Sequence, residues 1–338
     1  MRVLSRTVHL LLTLPLVAVV AACAPASSST VARPGTAPLL LGAHNDTSTP
    51  FNLVSIPALI RHRYDGHGLH LTRTLSRELA FTRHAVSYRS GRLVVTGVLT
   101  VPNRPGRHPV VVIAHGYADP RTYTSGSMLE REQAYLAESG FVTLQVDYRN
   151  YAGSTREDTA PVARPLGYPA DLVDAVRALR KARLPFADAS RIGLFGRSMG
   201  GGVVLNALAA RPHLARAAVL YSPVSSRAAD NYDRWVRPDP MLRGRVEAAF
   251  GTPSARPALW RQASSRSYLD RVTIPVQVHH GRADRVCPVR WSEATTAALR
   301  AHGNDVTLHE YAGEDHRFHH SWSRMMHRTT TFLRTQLD

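Results

Sequence analysis

The sequence predicts an α/β fold, a mostly parallel central sheet flanked by helices, with a helical insertion above the sheet. Two observations carry that prediction. From residue 109 to the C-terminus, apolar runs of strand length alternate with segments of helical periodicity. Such alternation implies right-handed crossovers and a parallel sheet. One run, 109–115, reads Pro-Val-Val-Val-Ile-Ala-His and is nearly continuous rather than alternating. A strand covered on both faces has that pattern.

The elements follow in order. Segments 82–88 and 93–101 flank Arg89-Ser90-Gly91-Arg92 and read as a hairpin. After the strand at 109–115 come a helix over 128–139 and a strand over 140–146. Leu172, Val173, Val176 and Leu179 repeat at helical spacing, which predicts a helix over 169–182. A strand over 191–195 and a helix over 199–210 follow, the helix ended by Arg211-Pro212. Residues 217–221 form the next strand. Residues 224–270 then break the rhythm, with Trp235, Trp260 and many Arg and Pro, and read as the helical insertion. The alternation resumes with a strand at 275–279, a helix at 290–302, a strand at 306–311 and a helix at 321–337. Residues 51–80 are ambiguous, with a short helix around 56–62 and further pieces against the domain edge.

The N-terminal segment is of another kind. Arg2 and Arg6 precede a mostly apolar stretch that ends in Val20-Ala21-Ala22-Cys23. It is too short for a permanent membrane span, and its small-residue end has the form of a secretory signal. The last four residues resemble the lipobox of bacterial lipoproteins, which implies lipidation at Cys23; an ordinary secretory signal is the plainer alternative. Either way 1–22 is a signal peptide, and the protein is exported. On the lipoprotein reading it is anchored on the outer side of a bacterial membrane. Residues 23–50, rich in Ala, Ser, Thr and Pro, read as a flexible tether to a domain over 51–338.

The formal net charge is +17, and every basic residue except Lys181 is Arg. These Arg are scattered and form no run, and no nucleic-acid motif is present, so a nucleic-acid partner is not expected. The chain has two Cys, Cys23 and Cys287. With Cys23 lipidated no intramolecular disulfide is possible, and stability rests on the core.

Four short segments carry chemistry. Gly196-Arg197-Ser198-Met199-Gly200 lies between a predicted strand and a predicted helix. A hydroxyl on that tight turn stands clear of the sheet beside a helix N-terminus, and small residues must flank it because strand and helix crowd the turn. Ser198 is therefore the candidate nucleophile. His279-His280-Gly281-Arg282-Ala283-Asp284 follows a late strand, and strand ends line the crevice of an open α/β sheet. Asp284 is the candidate acid. Gly313-Glu314-Asp315-His316 follows the last strand and makes His316 the candidate base, with His309, His319 and His320 as competitors. His115-Gly116-Tyr117 follows the apolar strand. Acyl transfer needs two backbone donors for its oxyanion, and the N–H groups of Tyr117 and Met199 are the candidates. The Tyr117 side chain reads as pocket lining.

From about residue 82 onward the chain resembles the α/β-hydrolases of the prolyl oligopeptidase and dienelactone hydrolase branch. The matching stretches are His115-Gly116, Asp147-Tyr148-Arg149, the segment around Ser198, His280-Gly281-Arg282-Ala283-Asp284 with Pro288, and Gly313-Glu314-Asp315-His316. The resemblance implies an α/β-hydrolase fold and Ser198, Asp284 and His316 as triad. It also implies that Asp147-Tyr148-Arg149 lies near the crevice, Arg149 being catalytic or structural. Three departures weigh against peptidase activity or a strict family match. Residues 51–81 leave no room for the propeller that precedes the catalytic domain in prolyl oligopeptidases. The acidic pair that grips a free amine in the dipeptidyl members has no counterpart. Dienelactone hydrolases use Cys where this chain has Ser198.

The expectation is an exported serine hydrolase that cleaves a small or medium carboxylic ester without cofactor or metal. A peptidase or amidase with the same residues is the first alternative, and a catalytically silent binding protein is the second. The insertion at 224–270 is expected to overhang the active site and shape specificity.

Overall fold

A computed structural model describes residues 55–157 and 164–338. The signal segment 1–22, Cys23 and the tether 23–50 lie outside the described residues. Nine strands form one sheet in the order β1-β2-β3-β5-β4-β6-β7-β8-β9. Strands β1 (Gly66–Arg77), β2 (Phe81–Ser90) and β3 (Leu93–Pro102) run antiparallel, and β3 pairs antiparallel with β5 (Val142–Val146). From β5 through β4 (His108–Ala114), β6 (Ala187–Arg197), β7 (Ala217–Tyr221), β8 (Val276–Gly281) and β9 (Val306–Tyr311), every pairing is parallel.

Side chains alternate across a strand, so a doubly covered strand feeds two cores. Val110, Val112 and Ala114 point into one core, together with Leu194, Ala218, Leu220 and Val278. Helices α1 (Ile56–Arg61), α3 (Arg164–Ala182), α4 (Met199–Ala210) and α8 (Arg290–Ala301) cover that face, supplying Leu59, Val176, Val204 and Leu299. Val111, Ile113, Phe195, Val219 and Tyr221 point the other way. They meet Leu136 of α2 (Glu130–Glu138) and Met326, Leu333 and Leu337 of α9 (Trp322–Leu337). The insertion follows β7 as α5 (Ala228–Asn231), a π-helical turn (Tyr232–Val236), α6 (Pro240–Phe250), α7 (Pro257–Gln262) and a 3-10 turn (Ser265–Arg271).

Most boundaries agree with the sequence reading to within a few residues. Two do not. The helix expected from 169 begins at Arg164 and carries Pro169 as its sixth residue, so the missing N–H costs one ladder bond just past the first turn. Strand β1 has no counterpart in the prediction. It is an edge strand, largely exposed, and its register slips at three places. Bulges of that kind break the two-residue period by which a strand is read.

The register determines where the site lies. Ala114 pairs Gly196, Arg197 pairs Tyr221, Tyr221 pairs His279 and Gly281 pairs Tyr311. The C-terminal strand ends are thereby level, and the loops that leave them share one crevice. Asp147, Tyr148 and Arg149 leave β5 at the same level. Arg149 is buried and ion-paired with Asp171 at 2.7 Å and Glu157 at 2.8 Å, so it ties this loop to α3 and takes a structural place.

Beside that ion pair, Asp174 is buried with one oxygen accepting from Ser90 Oγ at 2.8 Å and the other unpartnered. Burial pushes its carboxyl up from 3.8 to about 7, against the Ser90 hydrogen bond and with Asp171 adding repulsion. A raised carboxyl stabilises the fold below the unfolded pKa, and that contribution is lost as pH rises through the folded value. Asp174→Asn is therefore expected to melt at least ~2 °C above the wild type at pH 8. The gap should close by pH 4 in paired thermal melts. Parallel melting curves at both pH values would contradict the assignment.

Candidate active site

The turn from β6 into α4 carries Ser198 at φ 55°, ψ −121°. Few non-glycine residues adopt that region, and such strain persists only where the surroundings enforce it. Here the neighbours leave no choice. A Cβ at Gly200 would lie 1.9 Å from the Ala114 carbonyl oxygen, and one at Gly196 would lie 2.4 Å from the Gly200 carbonyl oxygen. The two glycines let strand, turn and helix approach one another. Ser198 N–H donates to Tyr221 O at 2.9 Å, and its carbonyl accepts from Gly201 at 2.9 Å and Val224 at 3.1 Å. Backbone bonds on both sides thus hold the turn while the hydroxyl lines a cavity.

Asp284 sits one turn beyond β8. Its Oδ1 accepts from the N–H groups of Val286 at 2.8 Å and Cys287 at 2.9 Å. Its Oδ2 accepts from His316 Nδ1 at 2.7 Å, with His280 Nε2 3.2 Å away. Burial opposes the charge, but hydrogen bonds from His280, His316 and Cys287 prevail and hold the carboxyl well below the usual range. With Nδ1 donating to Asp284, the Nε2 of His316 is the nitrogen left for the cavity, and it bonds to no described residue.

Three residues that sequence reading missed complete the frame. His280 is fully buried, with Nδ1 2.6 Å from Ser292 Oγ and Nε2 2.7 Å from Cys287 O. Arg197 donates from Nη2 to the His316 carbonyl at 3.3 Å, which ties the last loop to the residue beside Ser198. Cys287 is buried against Ser198. Burial and the Asp284 carboxylate push its thiol up to about 12, against a weaker hydrogen bond with the Ser198 hydroxyl. The adjacent pair His279-His280 and the Cys287-Pro288 step were visible signals, but nothing in a sequence says which ring turns toward Asp284.

The competitors of His316 go elsewhere. His319 and His320 donate backbone N–H groups to Glu314, and the exposed His319 ring lies 3.3 Å from Asp315. His309 stacks on His279 with ring centroids 5.2 Å apart. On the opposite side, a Cβ at Gly116 would lie 3.3 Å from Ser198 Cβ, so the loop after β4 packs directly on the turn. The peptides of Tyr117 and Met199 are thereby neighbours of Ser198, and Met199 N–H, in the first turn of α4, has no intrahelical acceptor. The Tyr117 side chain is 71% exposed at the rim.

Gly116, Tyr117, Arg197, Ser198, Met199 and His316 line a cavity of about 1520 Å³. Its two walls differ. The α2 and α9 side presents Glu130, Arg131, Glu132, Asp315, Arg317 and His319, whereas α4 and the insertion present mainly apolar groups. The insertion therefore overhangs the site, as expected. Among the described residues, no group of three or more His, Cys, Asp or Glu is placed to hold a metal, and no helix is long and apolar enough to cross a membrane.

A mostly parallel sheet with this strand-to-helix turn at its switch has the architecture of the α/β-hydrolase fold. Residues 127–338 match the model of the prolyl oligopeptidase family, and the chain belongs to that family. It is 26% identical over 211 residues to 2,6-dihydropseudooxynicotine hydrolase of Paenarthrobacter nicotinovorans, across 57% of this chain and 50% of that one. It is 31% identical over 109 residues to an uncharacterized 31.7 kDa protein of Escherichia coli, across 32% of this chain and 35% of that one. The chain thus spans half or less of the length of these curated relatives. Among solved structures, it is similar to an acetyl xylan esterase from Paenibacillus sp. R4 (TM-score 0.62, 17% identity, 83% of this chain and 92% of that one). It is also similar to the acylaminoacyl peptidase of Pyrococcus horikoshii (TM-score 0.59, 20% identity, 76% of this chain and 42% of that one). At these identities the structural likeness speaks for the fold alone.

The close approach at Gly200 makes a direct prediction. Gly200→Ala should yield little folded protein, or a Tm at least ~5 °C lower, because strand β4 must move to admit the methyl group. A folded variant with unchanged Tm would mean that α4 slides freely against β4.

Proposed function

We propose that the protein is an exported esterase that cleaves a carboxylic ester through an acyl-enzyme on Ser198. The observation that carries this reading is the 2.7 Å bond from His316 Nδ1 to Asp284, in the same cavity as a hydroxyl on a strained turn. His316 Nε2 takes the proton as Ser198 Oγ bonds to the ester carbonyl carbon. Asp284 holds the ring and stabilises its cationic form. The N–H groups of Met199 and Tyr117 hold the oxyanion, each worth about 10²–10³ in rate. The intermediate collapses, the C–O bond to the alcohol breaks, and His316 returns the proton to the departing oxygen. Water then attacks the acyl-enzyme with His316 again as base, releasing the acid and restoring the serine.

Support for ester over peptide comes from the cavity's carboxylates. Glu130 is bonded to Arg83, Glu132 accepts from Trp322 Nε1 at 2.8 Å, and Asp315 accepts from the N–H groups of Arg317 and Phe318. Each already has a partner within the chain, so a substrate's free amine would have to share it. The family itself includes peptidases by name, so aminoacyl amides are the control substrates.

Export and anchoring belong to the same proposal. The signal over 1–22 and the Cys23 that would carry lipid place the tether 23–50 between a membrane and the domain. Removing 1–22 lowers the formal charge from +17 to +15, since Arg2 and Arg6 go and no acid does. Cys23→Ser should release the protein from the membrane fraction and abolish incorporation of labelled fatty acid. Continued incorporation would place the acyl group elsewhere.

A fluorophosphonate probe should label the wild type and not Ser198→Ala. Ser198→Ala and His316→Ala should each lower kcat for p-nitrophenyl acetate by ~10³-fold or more. Full turnover by the His316 variant would remove that ring from the mechanism, and amide turnover matching ester turnover would replace the esterase reading with a peptidase.

A further inference from the structure

The two-walled cavity has a polarity that the mechanism can orient. His316 must protonate the departing alcohol, so the leaving group lies on the His316 side. That side is the charged wall: Asp315 and Arg317 flank His316, and Arg131 lies across from them with Nη2 3.5 Å from Arg317 O. The acyl group must then lie on the other side, along α4 and under the insertion.

That second compartment has a measurable length. Met199, Gly202, Val203 and Asn206 recur at three- to four-residue spacing along α4, and all four line the cavity. Eight residues of helix separate Ser198 from Asn206, which is ~12 Å at 1.5 Å per residue. The insertion closes over this stripe with Tyr232, Leu242, Val246, Phe250, Leu259 and Trp260. Two of its aromatics have their polar handles engaged. Tyr232 OH donates to Glu247, Trp260 Nε1 donates to Gly251 O at 3.2 Å, and the two rings meet edge to face at 5.1 Å. Asn231 is likewise satisfied, its amide bonding the N–H and carbonyl of Ser225 at 3.1 and 2.9 Å. The compartment therefore offers mainly carbon along its length.

Its far end is different. Asn206 and Ser265 both line the cavity, and neither side chain hydrogen-bonds to any described residue. The 3-10 turn that carries Ser265 packs against α4. Two polar side chains left open in an apolar slot are costly unless a ligand or water meets them.

We infer that this compartment is the acyl pocket, and that the substrate is an ester of a long apolar acid whose distal hydrogen-bonding group is read by Asn206 and Ser265. The inference rests on the esterase reading and names its substrate class. Apolar burial supplies affinity along the slot, and the distal pair supplies selectivity.

The test uses p-nitrophenyl esters of acetic acid and of decanoic and 10-hydroxydecanoic acid, the latter two with ten-carbon chains of about the slot's length. In the wild type, kcat/KM for the decanoate should exceed that for the acetate at least tenfold, and the hydroxylated chain should be preferred further. Val203→Trp and Leu259→Trp, which fill the slot from its two walls, should each lower the decanoate-to-acetate ratio at least tenfold. Asn206→Leu should erase the preference for the distal hydroxyl while leaving the decanoate-to-acetate ratio high. Methyl decanoate should be cleaved faster than decyl acetate; the reverse order would place the slot on the alcohol side and overturn the inference. A flat or acetate-favouring ratio in a protein that the fluorophosphonate probe still labels would overturn it too. Absence of both labelling and ester turnover would instead sink the esterase reading beneath it.

Discussion

The 1.9 Å that separates a hypothetical Gly200 Cβ from the Ala114 carbonyl oxygen is the tightest constraint around the site. It exists because α4 begins almost on top of β4. That position forces the chain at Ser198 through a positive φ, since no relaxed turn joins β6 to α4 in so little space. The same approach brings Gly116 against Ser198. The first helical N–H and the loop after β4 consequently meet at one hydroxyl. Side-chain chemistry at this turn is therefore inherited from backbone packing, and the level ends of the parallel strands are its foundation.

The acid at the other end of the site is held by a different principle. Asp284 is buried, and burial alone would favour its neutral form. Two backbone donors on one oxygen and two histidines on the other reverse that preference. His280 bridges Asp284 to Ser292 at the start of α8, so the carboxylate is fixed to a helix as well as to its own turn. Arg197 fixes the opposite partner through the His316 carbonyl. Strand β6 and the last loop are thereby linked on either side of the serine. Residues that never meet a substrate thus determine how far apart the reacting groups stand.

What was legible in the sequence divides along these lines. Doubly buried strands such as 109–115 announce themselves because every residue is apolar, and the Gly-x-Ser-x-Gly spacing announces a steric demand that only glycine meets. Ser198, Asp284 and His316 could be chosen from chain order and loop position; in the structure Ser198 and His316 line one cavity, and Asp284 bonds His316 from behind it. Strand β1 was illegible because its bulges and exposed His and Arg erase the alternation. His280, Arg197 and Cys287 were illegible for another reason: their roles depend on side-chain direction, which spacing does not encode. With 17 His in the chain, only geometry separates His316 and His280 from the rest.

The asymmetry of the cavity follows from the sheet itself. Each face carries its own helices, and the crevice runs over the boundary between them. Helix α2 and the loop before α9 border the crevice, where Glu130, Arg131, Arg317 and His319 are exposed. Helix α4 reaches it lengthwise, beneath an insertion that has no core of its own and buries its apolar residues over the site instead. An insertion at this one strand end covers one side of the serine and leaves the other open. Discrimination between the two halves of a substrate can then evolve in the insertion without disturbing the packed turn that holds the hydroxyl.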